Sequence, residues 1–253
     1  METEQDRPPY PRLWEVDTVR GIAIVLMIAY HLFFDLAFFG VPVGDMDSLP
    51  WKVVARSIGT TFILVMGVSL TLRHHRLRRD LVPLEVFVVY LKRGATLFVY
   101  GMVVTVVTFV LLRHRFVIFG ILHLLGLSAI LAFPFLRSRW ASLAGGVVAL
   151  GLGLVLSTVK VQGSWFLWLG VPQAARSMVD YYPILPWFGF ALLGMFLGMT
   201  LYPRGARRFG LPDLSHTAPI RGLTFLGKHS LLIYLVHQPI LIGLLILVGI
   251  GSL

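Results

Sequence analysis

Seven times along this chain an apolar run comes close to the roughly 20 residues that a helix needs to cross a bilayer. The runs fall at 19–39, 53–72, 94–112, 116–136, 140–158, 183–202 and 226–249. Composition points the same way, with 57% hydrophobic residues, 13% charged residues and a mean hydropathy of +0.82, well outside the range of soluble domains. The expected fold is an all-α membrane protein, a bundle of about seven transmembrane helices, multi-pass in the cell (plasma) membrane with lipids as its surroundings. The longest polar stretches are the tail 1–16 and the connectors 73–83 and 203–221. That leaves room for a single transmembrane domain over 1–253, with 1–16 as a polar cytoplasmic tail. The tail is mixed in charge and Pro-rich, so no cleavable leader is expected and the first span stays in place.

The net charge of +10 does not read as a nucleic-acid footprint, because the cations follow the topology. With the N-terminus inside, sixteen of the 22 Lys and Arg residues fall on cytoplasmic segments. Six fall outside: Lys52, Arg56, Arg113, Arg115, Lys160 and Arg176. The positive-inside rule then places the N-terminus in the cytoplasm and the C-terminus outside. Cysteine is absent, which excludes disulfides, thiolate metal sites and a thiol nucleophile. Nucleotide P-loop, GxSxG and HExxH patterns are absent too, and no metal site is expected. Gly145, Ala149 and Gly153, like Gly194 and Gly198, read as helix contacts.

Two stretches depart from plain spans. Residues 82–94, VPLEVFVVYLKRG, carry Lys92 and Arg93 near their end and are expected either along the inner surface or as the tilted lead-in of a long helix. Residues 180–187, DYYPILPW, read as a bent outer helix end, since interrupted backbone is tolerated where it lines a protein cavity.

Ionisable groups inside spans are costly and usually functional. On the first span Asp17 and Arg20 mark the inner end of a face that carries His31 and Asp35 in the outer half, spaced so that the carboxylate can reach the imidazole. His123 in the fourth span and Tyr234, His237 and Gln238 in the last lie at comparable depth, with Asp180 at the outer mouth. Together they suggest a polar pocket in the outer half of the membrane. A simpler reading makes His123 a hydrogen-bonding strut between helices, and topology alone accounts for Arg73, Arg76, Arg78 and Arg79.

The stretches RLWEVDTVRGIAIVLMIAYHLFFDL, DYYPILPWFGFALLGMFLG and LGKHSLLIYLVHQPI resemble the bacterial and archaeal branch of the heparan-alpha-glucosaminide N-acetyltransferase catalytic-domain family, over about 12–243. The resemblance implies transfer of an acetyl or other acyl group from cytoplasmic acyl-CoA, through the membrane, to a hydroxyl or amine acceptor outside, with a glycan the expected acceptor. Asp17, Arg20 and Gly21 stand where the family has its DxxRG motif. His31 stands where the lysosomal member has an active-site asparagine, and that member's catalytic histidine falls on Pro42 by ungapped count. Either His31 takes over the basic role or this branch runs different chemistry on the same scaffold.

On this reading acetyl-CoA is the donor substrate. Its phosphates lie near Arg73, Arg76, Arg78, Arg79 and Arg93, with the pantetheine arm beside Arg20. The acceptor enters past Asp180 and Tyr181, near Tyr234 and Gln238. His31 is the expected base, since an imidazole of ordinary pKa about 6.5 suits proton removal. Asp35 orients it, and His123, Tyr234 or His237 serves the oxyanion. A rival reading is a proton-coupled transporter of a small solute that uses the same His and Asp groups as a relay. A second copy of the chain, forming a homodimer, is a candidate partner.

Overall fold

The computed structural model describes residues 12–113, 115–159, 165–171 and 178–251, with Arg79 described through its backbone alone. Lys160, Arg176 and the Arg79 side chain, all part of the sequence argument, lie outside what is described. Among the described residues there are eight α-helices, α1 (Trp14–Phe38), α2 (Leu49–Asp80), α3 (Pro83–Leu112), α4 (Ile121–Leu131), α5 (Arg139–Thr158), α6 (Ile184–Leu201), α7 (Ala218–Lys228) and α8 (Ser230–Leu247). No strand occurs among the described residues. Six helices, α1, α2, α3, α5, α6 and α8, are long and apolar enough to cross a membrane. Each satisfies its own backbone amides, as a lipid-exposed segment must.

The fourth apolar run takes another form, because α4 is only 11 residues long. Pro134 lacks the amide that a continuing α-helix needs, and the chain tightens into the 3₁₀ turn Phe133–Arg137. The segment nevertheless runs antiparallel to α3. Val117 N–H donates to Thr108 Oγ1 (3.1 Å), the His123 ring lies against Gly101, Gly126 meets the Gly94 backbone, and Phe133 packs on Tyr90 and Phe87. From the level of Thr108 to that of Phe87 is about 30 Å of helix rise. Residues 82–94 are the continuous start of α3, the lead-in alternative of the two expected. Pro83 opens the helix, and Glu85 Oε2 accepts from Val82 N–H (3.0 Å).

Small residues bring α2, α5 and α6 together. Gly189 and Gly146 face each other's backbone, Gly194 lies on the backbone of Leu64, and Gly198 on Val68 and Thr71. Without a hydrophobic drive between helices in lipid, such close approach is what allows dispersion contacts to accumulate. Gly145 packs on Phe135 and Gly153 on Pro186, so all four of the expected glycine contacts fall on this seam and its edge. Ile63, Leu70, Val86, Leu124, Leu192 and Met195 form the adjoining core. The outer end of α6 is bent as expected, with Leu185 outside helical geometry (φ −104°, ψ 130°).

The expected last span at 226–249 is two helices, broken at His229, and the connector expected to reach residue 221 already contains the start of α7. A helix with Arg221, Thr224 and Lys228 among its residues does not suit hydrocarbon, and α7 instead lies on the N-terminal half of α1. Gly21 faces the Leu223 carbonyl and Gly227 the Asp17 carbonyl, backbone against backbone, while the hydroxyls of Thr18 and Thr224 share a 3.1 Å hydrogen bond. Helix α8 then follows the C-terminal half of α1. The chain thus brings His31 and His237 together across α1 and α8.

Candidate active site

At the centre of the polar group on the C-terminal half of α1 is a pair of imidazoles. His31 and His237 meet edge to face, ring centroids 4.8 Å apart. His31 Nδ1 bonds to the Met27 carbonyl (2.8 Å) and His237 Nδ1 to the Tyr234 carbonyl (2.7 Å). A carbonyl only accepts, so both Nδ1 atoms carry the proton and both Nε2 atoms keep a lone pair. His237 Nε2 is buried and without a partner.

Asp35 does not reach His31 as the i to i+4 spacing suggested. Its Oδ1 accepts from Gln238 Nε2 (2.6 Å) on α8, because His31 has turned back onto its own helix to bond Met27. Asp35 Oδ2 and Gln238 Oε1 are buried without partners. Four protonatable or polar side chains from two helices therefore close on one another and leave three buried atoms unsatisfied. Native interiors leave few such atoms unless a ligand, water or reaction uses them.

The remaining outer residues divide into a linked set and a structural set. Asp180 accepts from Ile121 N–H (3.0 Å) and from the Tyr234 hydroxyl (3.4 Å). It ties the N-terminus of α4 to the helix carrying His237. Burial pushes the Asp180 carboxyl up to about 6, against the pull of those two donors. His123 Nδ1 instead accepts from Gly120 N–H (3.2 Å), and its ring stacks on Phe119 and abuts Phe98. It caps its own helix and makes no contact with the imidazole pair. The Tyr181 hydroxyl donates to the Leu167 carbonyl (2.8 Å) and so pins a loop.

At the inner end, the arginines expected to act together fall on different faces. Asp17, 4% exposed, binds Arg20 Nη1 (2.8 Å) and Arg12 Nε (2.6 Å). Arg20 also donates to Ser69 Oγ on α2 (2.7 Å). Arg93 of α3 lies within electrostatic reach of both Arg20 and Arg73. Three helices thus contribute one cation each to a cluster whose only carboxylate among the described residues is Asp17. Arg76 is exposed, and Arg78 lines a separate cleft with His74 and Arg137.

Sequence reasoning missed Glu15 and Arg207, which form a two-pronged ion pair (2.7 Å each) linking α1 to the connector after α6. It also missed the wide cleft of about 1080 Å³ beside α7, with Arg12, Arg221 and Lys228 in its wall. Both join segments far apart in the chain, which no local pattern specified.

Residues 12–239 match the family model described as heparan-alpha-glucosaminide N-acetyltransferase, catalytic. No curated protein and no solved structure matches the chain. The matched span runs from the Arg12–Asp17–Arg20 cluster to one residue beyond Gln238, and so contains every side chain of the two sites just described. The chain belongs to the heparan-alpha-glucosaminide N-acetyltransferase catalytic-domain family, a family of membrane acetyltransferases.

Proposed function

We propose that this protein transfers an acetyl or other acyl group from cytoplasmic acyl-CoA to a hydroxyl or amine, most naturally of a saccharide, presented at the outer face of the plasma membrane. The observation that supports this most is that one helix carries both ends of such a reaction. Arg20, with Arg73 and Arg93, offers an anion site at the inner end of α1. His31, with His237, offers unprotonated nitrogens eleven residues further out, about 16 Å of rise. In this reading the chain crosses seven times with its N-terminus inside, as the charge distribution suggests, which gives the reaction its sidedness.

In this mechanism the donor's phosphates rest on the inner arginines and its thioester lies beside His31. The acceptor, held by the free oxygens of Asp35 and Gln238 with Asp180 and Tyr234 above, attacks the thioester carbonyl. His31 Nε2 takes the acceptor's proton as the new C–O or C–N bond forms. Once His31 Nε2 carries that proton, it donates a hydrogen bond to the oxyanion. Collapse breaks the C–S bond, and the proton leaves with the thiolate as free CoA thiol. Asp35, one turn beyond His31, stabilises the imidazolium while it exists.

The test is transfer across a sealed membrane. In proteoliposomes loaded with labelled acetyl-CoA, label should appear on an external amino sugar or hydroxyl acceptor without any ion gradient. A proton-coupled transporter remains the second reading, favoured by the unpartnered Asp35 Oδ2 and His237 Nε2 atoms. Solute accumulation that depends on a pH gradient, with no loss of thioester, would establish that reading and dismiss the first.

A further inference from the structure

Arg78 leads to a site of its own. The C-terminal part of α2, the 3₁₀ turn Phe133–Arg137, the start of α5 and the turn after α6 surround a cleft of about 550 Å³. Its wall carries His74, His75, Arg78, Arg137, Arg139 and Arg204, with no acidic residue among its lining side chains. His74 is 7% exposed, and neither of its ring nitrogens has a hydrogen-bond partner. Its nearest rings are His75, Tyr90 and Phe133, none of which satisfies it.

Positive-inside topology explains cations at this surface. It does not explain four arginines from three separate chain segments lining one cleft, with Arg78 and Arg137 acting electrostatically on a buried imidazole, where mutual repulsion opposes folding. Arg204 adds a second cost, since it holds a left-handed backbone (φ 54°, ψ 24°) that residues with a side chain rarely adopt. The N-terminus of the 20-residue helix α5 opens at the same place, capped by Ser138, and its dipole adds to the positive field.

We propose that this cleft binds a phosphate group, separately from the acyl donor, with the guanidinium groups of Arg78, Arg137 and Arg204 around the anion and His74 donating from the floor. The phosphate has two chemical sources at this depth: the headgroup of an anionic inner-leaflet lipid, or a soluble phosphate from the cytoplasm. The site stands whether or not the acyltransfer reaction is correct, because Arg20, Arg73 and Arg93 do not contribute to it.

The experiment measures thermal midpoint and equilibrium binding for the full chain in phosphatidylcholine nanodiscs, with added phosphatidate in one arm and inorganic phosphate in the other. A rise in Tm with phosphatidate alone assigns the site to a lipid headgroup, and a rise with inorganic phosphate assigns it to a soluble anion. In either case Arg137→Gln combined with Arg204→Gly should weaken the response roughly tenfold or more, since charge-assisted contacts are removed. Glycine suits the left-handed backbone at residue 204, so this variant should keep the parent's Tm without ligand. His74→Gln gives an independent check that keeps a hydrogen-bonding tip. No shift in the parent with either probe, an unchanged response in the double variant, or displacement of the bound phosphate by acetyl-CoA would overturn the proposal.

Discussion

Replacing His31 by Gln is the most informative perturbation, and its expected size follows from the geometry. The change retains a hydrogen-bonding side chain of similar bulk but removes the Nε2 lone pair that the Met27 bond leaves free. Loss of a general base costs roughly 100-fold or more in turnover, equivalent to about 2.7 kcal/mol of barrier. The donor's phosphates would be held about 16 Å away along the helix, so acetyl-CoA affinity should change less than about twofold. His237→Gln tests whether the two rings act together. If each contributed independently, the double variant would lose on the order of 10⁴-fold. If they share one proton across the 4.8 Å between ring centroids, the double variant should fall scarcely below the worse single variant, because groups acting as a unit are not additive. The assay is single-turnover loss of labelled thioester in proteoliposomes, with Tm and donor binding measured on the same preparations. Full turnover in His31→Gln, with folding intact, would refute the assignment of the base.

Further outcomes are open to simpler measurements. A reporter fused after Leu253 should appear outside the cytoplasm and one inserted near Arg78 inside; both on one side would refute the odd number of crossings. Arg73→Gln with Arg93→Gln should weaken acetyl-CoA binding steeply at low salt, where charge attraction is least screened, as read by isothermal titration. Asp180, whose carboxyl is raised to about 6 by burial, should make stability depend on pH. Its contribution is full below about 3.9, where the unfolded chain is also protonated, and is lost as pH rises through about 6. The total is up to about 3 kcal/mol, and Asp180→Asn should flatten that part of the Tm profile.

The membrane class and six of the seven apolar runs were legible because hydropathy over 20 residues depends on local sequence alone. His31, Asp35, Tyr234, His237 and Gln238 were legible as candidates because a polar group inside such a run is conspicuous. Their pairing was not. Whether His31 bonds Asp35 or Met27 turns on a rotamer and on what α8 offers across the interface, and Gln238 offers Asp35 a better partner. The arrangement of the arginines was hidden for a related reason. Arg73 and Arg78 are five residues apart, which on a helix points them to different neighbours, so a run that reads as one basic cluster in the sequence faces two sides of α2. The short α4 and the break at His229 were hidden because apolar composition does not report where a helix stops.

The glycine seam between α1 and α7 also determines where a substrate can travel. At Gly21 and Gly227 the two backbones touch, leaving no width for even a methyl group, so this side of α1 is a wall. Arg20 sits on the same helix but reaches away from that wall to Ser69 and toward Arg93. On the proposed reaction, a donor arm running from Arg20 to the imidazole pair would therefore pass α1 on the side that faces Ser69 of α2, and widening that side, not the glycine seam, is what would change how long an acyl chain the protein accepts.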